Sequence, residues 1–248
     1  MRGGLDAGCG IPGVRAEVRE GDDGGPCLVV RFDAPGVTTL SSAVIGGGFR
    51  DGVRAIVNRQ VPKHYMADDP EAELGAHLHR HGFGCGETLA LMTAAFVRDA
   101  GFACIELSSG SAHSRVACWA TVGLGNAARA GRRRAPASGL FPGTINVIVV
   151  LDGALAPGAF VGATCVAAEA KAAAVADLGV RDPDDGGLAT GTTTDAVVVA
   201  ATGRGAAARY AGTATAVGHA VGRAVYDAVR DAGARYLAYA VDSPGERT

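Results

Sequence analysis

The run TINVIVVL at residues 144–151 constrains the fold more than any other stretch. Six of its eight residues are aliphatic, five of them β-branched, which suits a strand covered on both faces. Such a strand needs layers above and below it. One follows at once: Pro157 opens a helix reaching to about Leu178, apolar almost all round and therefore expected to be buried. TDAVVVAA (194–201) reads as a second buried strand. CLVVRF (27–32), VTTLSSAV (37–44), VRAIVN (53–58), FACIEL (102–107) and RVACWATV (115–122) read as further strands. Helices are expected over 86–101, where Leu89, Met92 and Phe96 share a face, and from a Thr213 cap to about Ala232. Residues 59–85 and 129–142 read as polar connections. Alternation of strand and helix from residue 86 onward predicts an α/β fold with a mixed, largely buried β-sheet layered with helices. One compact domain, 27–248, is expected behind a weakly ordered, Gly-rich lead-in, 1–26.

Composition excludes several classes. A chain of 248 residues, 48% of them apolar, buries a full core and is not disordered. A net charge of −2 argues against a nucleic-acid partner held by phosphate neutralisation. The longest uncharged apolar stretch, 153–168, is broken by Pro157 and too short to span a bilayer. MRGGLDAGCG lacks the apolar centre of a secretory signal. A soluble, cytoplasmic protein without a membrane partner is expected. Six cysteines with no CxxC pair give neither a disulfide framework nor zinc spacing, so no metal and no cofactor are expected. Assembly into a homo-oligomer stays open.

Two polar clusters stand out. Thr190-Gly191-Thr192-Thr193-Thr194-Asp195 directly precedes a buried strand. Hydroxyls there can donate to an amide or oxyanion, and Asp195 can orient a base or water. The plainer alternative is a hydroxyl-rich turn in which Asp195 bonds nearby backbone. Glu169 and Lys171 lie two apart on the apolar helix, hence on nearly opposite sides. Each needs a counter-charge elsewhere or marks a site. Asn58 could share a polar wall with His64 and Tyr65. His77, His79 and His81 invite a metal reading at i,i+4, but no HExxH carboxylate accompanies them, and they read as solvated histidines before Gly82. The Gly123-x-Gly125 turn runs into Arg132-Arg133-Arg134 and Pro136 rather than a helix, which removes a dinucleotide site. His219, Arg223, Tyr226 and Arg230 read as a solvent face of the last helix.

Eight segments in order carry a resemblance. They are SSAxxGGG (41–48), Asn58 with Val61 and Tyr65, Met92-Thr93-Ala94-Ala95, Gly123-x-Gly125-Asn126-Ala127, Gly143-Thr144-Ile145-Asn146, Glu169-Ala170-Lys171-x-Ala173, Thr190-Gly191-Thr192-x-Thr194-Asp195 and Tyr210-Ala211-Gly212-Thr213. Together they resemble the adenosylcobinamide amidohydrolase family across residues 38–232. The resemblance implies hydrolysis of the amide joining aminopropanol to the corrin ring of adenosylcobinamide, within cobamide salvage, with adenosylcobyric acid as the other product. The implied partner is a small-molecule corrinoid. The chain departs from the family pattern at Thr193, where glycine is expected, and near Ala214, where histidine is expected. GTINVIVVLDGALAPGA is also similar, more distantly, to the aminopeptidase and ornithine acetyltransferase group. That likeness implies a layered α/β/β/α architecture and a Thr or Ser nucleophile.

With neither a GxSxG elbow nor a zinc ligand set, the expected site is carboxylate-assisted. Asp195 or Glu169 would activate water or a threonine hydroxyl, with Lys171 and Thr192 in the catalytic set. Lys171, Asn146 and the 192–194 hydroxyls would bind the amide oxygen. Asn58, His64, Tyr65, Asn146, Thr194 and Gly47 would line the substrate pocket. A non-catalytic corrinoid-binding protein and an amidase or acyltransferase for small amino-acid derivatives remain as alternatives.

Overall fold

Side-chain alternation along the strands sets the layers. A computed structural model describes residues 9–21, 25–33, 37–107, 114–132 and 143–242. The first half supplies β1 (Val14–Arg19), β2 (Cys27–Phe32), β3 (Thr38–Ser41), β4 (Gly48–Arg50), β5 (Ala55–Gln60), α1 (Pro70–Arg80), β6 (Thr88–Thr93) and β7 (Gly101–Leu107). The second supplies β8 (Ser114–Val122), β9 (Ala127–Ala128), β10 (Ile145–Leu151), β11 (Ala154–Leu155), α2 (Pro157–Asp177), β12 (Gly191–Thr192), β13 (Ala196–Ala201), β14 (Ala207–Ala208) and α3 (Ala216–Asp242). The sheets are mixed, as expected, and the strands divide between two of them. One runs β1-β2-β5-β6, the other β4-β3-β13-β10-β8-β7, with short ribbons β11-β14 and β12-β9. Within them β5–β6 and β10–β13 pair parallel.

β10 shows why its whole length is apolar. Ile145, Val147, Val149 and Leu151 join α2 and α3 in one core, while Ile148 and Val150 face the other sheet. In β2, Leu28, Val30 and Phe32 enter the inter-sheet core, and Cys27 and Val29 turn outward beneath α1 with Leu74 and Leu78. Three cores thus separate four layers, α1, two sheets, and α2 with α3, in one α/β/β/α domain.

Several elements depart from expectation. Residues 86–101 are not a helix: Thr88–Thr93 form β6, followed by a single helical turn at 97–99. Leu89 and Leu91 face the other sheet while Ala90 and Met92 face the α1 side, so both faces are apolar and the period is lost. Residues 59–85 contain α1, which Pro70 opens and Asp69 caps by accepting from Ala72 N at 2.9 Å. Within the expected lead-in, Val14–Arg19 pair with β2 because Cys9, Ile11 and Val14 are core residues. Residues 1–8 and 22–24, and 133–142 of the expected loop, lie outside the described residues. The last helix is capped by Thr215, not Thr213, through a 3.0 Å bond from Gly218 N, and runs on to Asp242. α2 has the length and apolar composition of a membrane span, yet Ala159, Phe160, Ala163, Val166 and Ala167 lie against the larger sheet and α3.

Candidate functional site

Because β10 and β13 run parallel with Asn146 opposite Ala196, the residue before β13 lies beside the first residue of β10. Asp195 uses that position: its Oδ1 accepts from Ile145 N at 3.0 Å. The turn behind it folds back, so Asp195 Oδ2 accepts from Thr192 N at 3.0 Å and Oδ1 from the Thr192 hydroxyl. Lys171 reaches in from α2 and pairs with Oδ2. Four donors fill the acceptor capacity of one carboxylate. The Lys171 and Asp195 side chains are 12% and 11% exposed. Gly191 makes room for the pair, since a Cβ there would collide with both Lys171 Nζ and Asp195 Oδ2.

Further hydroxyls surround this centre. Thr194 donates to Gly143 O at 2.9 Å, and its own carbonyl accepts from Thr144 Oγ1 at 2.7 Å. Gly143 O lies 3.5 Å from Thr192 Oγ1. Asn126 Nδ2 donates to Thr193 Oγ1 at 2.6 Å. Thr193 is exposed, and among the described residues its own hydroxyl proton meets no acceptor. Asn126 Oδ1 is buried with no hydrogen-bond partner among the described residues, against Gly143 where any Cβ would collide with it.

The two sheets are pinned together beside this cluster. Asn58 on β5 donates to Thr121 Oγ1 on β8 at 3.0 Å and accepts from Asn146 Nδ2 on β10 at 2.8 Å. Asn146 Nδ2 also reaches Met92 O at 2.8 Å. Asn58 is 0% exposed and Asn146 2%, so both brace the sandwich instead of lining a pocket. Each shares its strand face with an inter-sheet residue, Ile56 and Ile148 respectively, and that period-2 placement was the available signal.

Other expected site residues stand apart. Glu169 is exposed on α2, with no hydrogen bond or ion pair among the described residues, because only one face of that helix is buried. His64 is exposed as well. Tyr65 gives its hydroxyl to Glu73 on α1, which Arg59 Nη1 also holds at 3.0 Å. Arg59 alternates with Asn58 along β5, so this group occupies the opposite face of the sheet. Burial, then the Glu73 bond, pushes Tyr65 up to about 12. The Tyr65 bond, and Arg59 after it, hold the Glu73 carboxyl below its ordinary value. Gly47 sits in the exposed turn before β4, and a Cβ there would crowd Ala43 O at 2.7 Å; no described contact ties it to Asp195. His77 is 1% exposed, not solvated, because α1 turns it onto Cys27. Thr144, Asn126 and Thr121 are the polar contributors that residue types alone did not single out, whereas Thr193 belongs to the hydroxyl cluster the sequence marks.

The structure of Burkholderia sp. beta-aminopeptidase aligns with a TM-score of 0.51 at 14% identity, covering 94% of this chain and 86% of that one. L-aminopeptidase D-Ala-esterase/amidase from Ochrobactrum anthropi gives 0.49 at 13%, covering 93% and 86%. Low identity makes the first a likeness of fold alone. The chain itself belongs to the adenosylcobinamide amidohydrolase family, which it matches across residues 14–240, and is accordingly an amidohydrolase. No curated protein matches it significantly.

Proposed function

We propose that the chain hydrolyses the amide joining aminopropanol to the corrin ring of adenosylcobinamide, in cytoplasmic corrinoid salvage, and that Thr192, Asp195 and Lys171 carry the reaction. The observation behind this reading is the hydroxyl–carboxylate–ammonium line itself. The Thr192 hydroxyl already donates to Asp195, which Lys171 orients, the arrangement that activates an alcohol for acyl transfer. In the first step Thr192 Oγ1 bonds to the amide carbon and its proton passes to Asp195. Collapse of the tetrahedral adduct breaks the C–N bond, and that proton leaves on the amine nitrogen. Water then hydrolyses the ester, releasing the corrinoid acid and restoring the hydroxyl.

The Thr193 hydroxyl is suited to the developing oxyanion. Asn126 satisfies one of its lone pairs and leaves its own proton for an incoming oxygen. The departure from glycine at this position therefore adds a donor. Thr144, Thr194 and Asn146 hold the surrounding backbone in place, and Asn58 braces Asn146.

Thr192→Ser and Thr192→Val test the assignment. Serine is expected to retain turnover of adenosylcobinamide. Valine, nearly the same shape, is expected to abolish it while the corrinoid absorbance still titrates on binding. Full turnover by the valine variant overturns the role of Thr192.

A further inference from the structure

The β3–β4 hairpin carries exposed apolar groups beside the Asp195 centre that no step above uses. Phe49 on β4 pairs with Leu40 on β3, and Leu40 with Val199 on β13. Leu40 and Val199 pack into the core under α2, so Phe49 stands on that same face of the sheet. Its ring meets Phe160 of α2 edge-on, centroids 5.3 Å apart, and it is 50% exposed. Two residues nearer the site along β13 is Val197, whose N donates to Ser42 Oγ and whose O accepts from Ser42 N, both at 3.1 Å. Two residues further is Asp195. Two strand spacings of about 4.8 Å and four residues of about 3.3 Å put Phe49 about 16 Å from Asp195.

On the β10 side of the centre Gly143, Thr144 and Ile145 are buried. Toward the hairpin Ser42, Val44, Gly47, Gly48 and Phe49 are exposed, and residues 40–49 carry no charge. A Cβ on Gly48 would stand in open space. Among the described residues the Ser42 hydroxyl proton meets no acceptor. The hairpin is held firmly: Ile45 exchanges backbone bonds of 3.1 and 3.0 Å with Ala90, and Ser41 Oγ accepts from Ala43 N at 2.9 Å. A fixed, uncharged ledge with an aromatic ring and a spare hydroxyl suits a broad, flat ring fringed with amides.

We infer that the corrin macrocycle lies on this ledge while its amide reaches Thr192, with Phe49 and Val44 against the ring and Ser42 donating to a peripheral amide carbonyl. Phe49 sets affinity for the substrate and takes no part in the bond change. The inference rests on the corrinoid reading of the substrate.

Absorbance titration with adenosylcobyric acid, which lacks the scissile amide, and steady-state turnover of adenosylcobinamide test it together. Phe49→Ala is expected to bind the acid roughly tenfold more weakly, the scale of one half-covered aromatic side chain, and to raise KM alike while kcat holds. Met66→Ala, exposed ahead of α1, is expected to change neither. Should Phe49→Ala fail to fold, Val44→Ser decides, with about threefold weaker binding expected. Wild-type turnover with KM and acid affinity unaltered by these substitutions overturns the ledge and leaves the reaction standing. Weakened acid binding in Phe49→Ala, with no turnover by the wild type, keeps the ledge and overturns the reaction. A wild-type chain that binds no corrinoid overturns both.

Discussion

The Lys171 ammonium on α2 and the Asp195 carboxylate ahead of β13 form an ion pair with both side chains close to nine-tenths buried. It joins the helical layer to the start of the two parallel central strands, where a hydroxyl already donates to the same carboxylate. Asp195→Asn keeps the shape but weakens the pair and removes the proposed proton acceptor. Turnover is expected to fall by about 10²–10⁴-fold, the usual contribution of a positioned base. Glu169→Gln, on the exposed side of the same helix, is expected to leave turnover alone and change stability by less than about 0.5 kcal/mol. Steady-state kinetics of the two variants side by side check this. Equal losses would return Glu169 to the site.

Gly191 has no room for a methyl group. Gly191→Ala is expected to push Lys171 and Asp195 apart and destabilise the fold by about 1–3 kcal/mol, as overpacking does. Urea unfolding measures the cost, and kinetics on the folded fraction measure the lost turnover. A fully active, fully stable variant contradicts the geometry.

Asn58 and Asn146 bridge the sheets inside the sandwich. Truncating either leaves a buried amide short of a partner, a loss of about 1–3 kcal/mol. A double-mutant cycle with Asn58→Ala and Asn146→Ala is expected to give a coupling of about 0.5–3 kcal/mol, as for residues in direct contact. Strict additivity would show that the bridge contributes nothing.

Tyr65 titrates above its ordinary value of 10, at about 12. A raised folded value favours the protonated phenol in the native state. Its contribution is therefore complete below pH 10 and lost as pH rises through about 12. Stability of the wild type measured by urea midpoints between those values is expected to fall more steeply than that of Tyr65→Phe. Parallel curves would separate Tyr65 from Glu73.

β1, whose Val14, Ala16 and Val18 alternate with Arg15, Glu17 and Arg19, was masked by its Gly-rich, charged surroundings, while the β-branched runs bounded by Gly or Pro, β10 among them, were legible. β6 was not: Leu89, Met92 and Phe96 recur at helical spacing by coincidence, since a strand buried on both sides has no polar alternation to expose its period. α1 carried a signal in Asp69-Pro70 with Glu71 and Glu73 in its first turn, masked by the polar residues around it. For the site, Lys171 and Asp195 were each visible as polar groups in apolar surroundings. The pair itself was not, because it depends on β10 and β13 lying parallel and on the side from which α2 covers them. Glu169 misled because alanine populates both faces of α2, so composition could not tell buried from exposed. Asn58 and Asn146 looked like pocket residues although their strand faces, shared with Ile56 and Ile148, belong to the interior.

Mass spectrometry of the products after incubation with adenosylcobinamide tests the central claim most directly. Release of aminopropanol together with adenosylcobyric acid by the wild-type chain, and roughly a hundredfold less or lower still from Asp195→Asn, is the result this account predicts. Stoichiometric uptake of the corrinoid with its aminopropanol amide intact would contradict it.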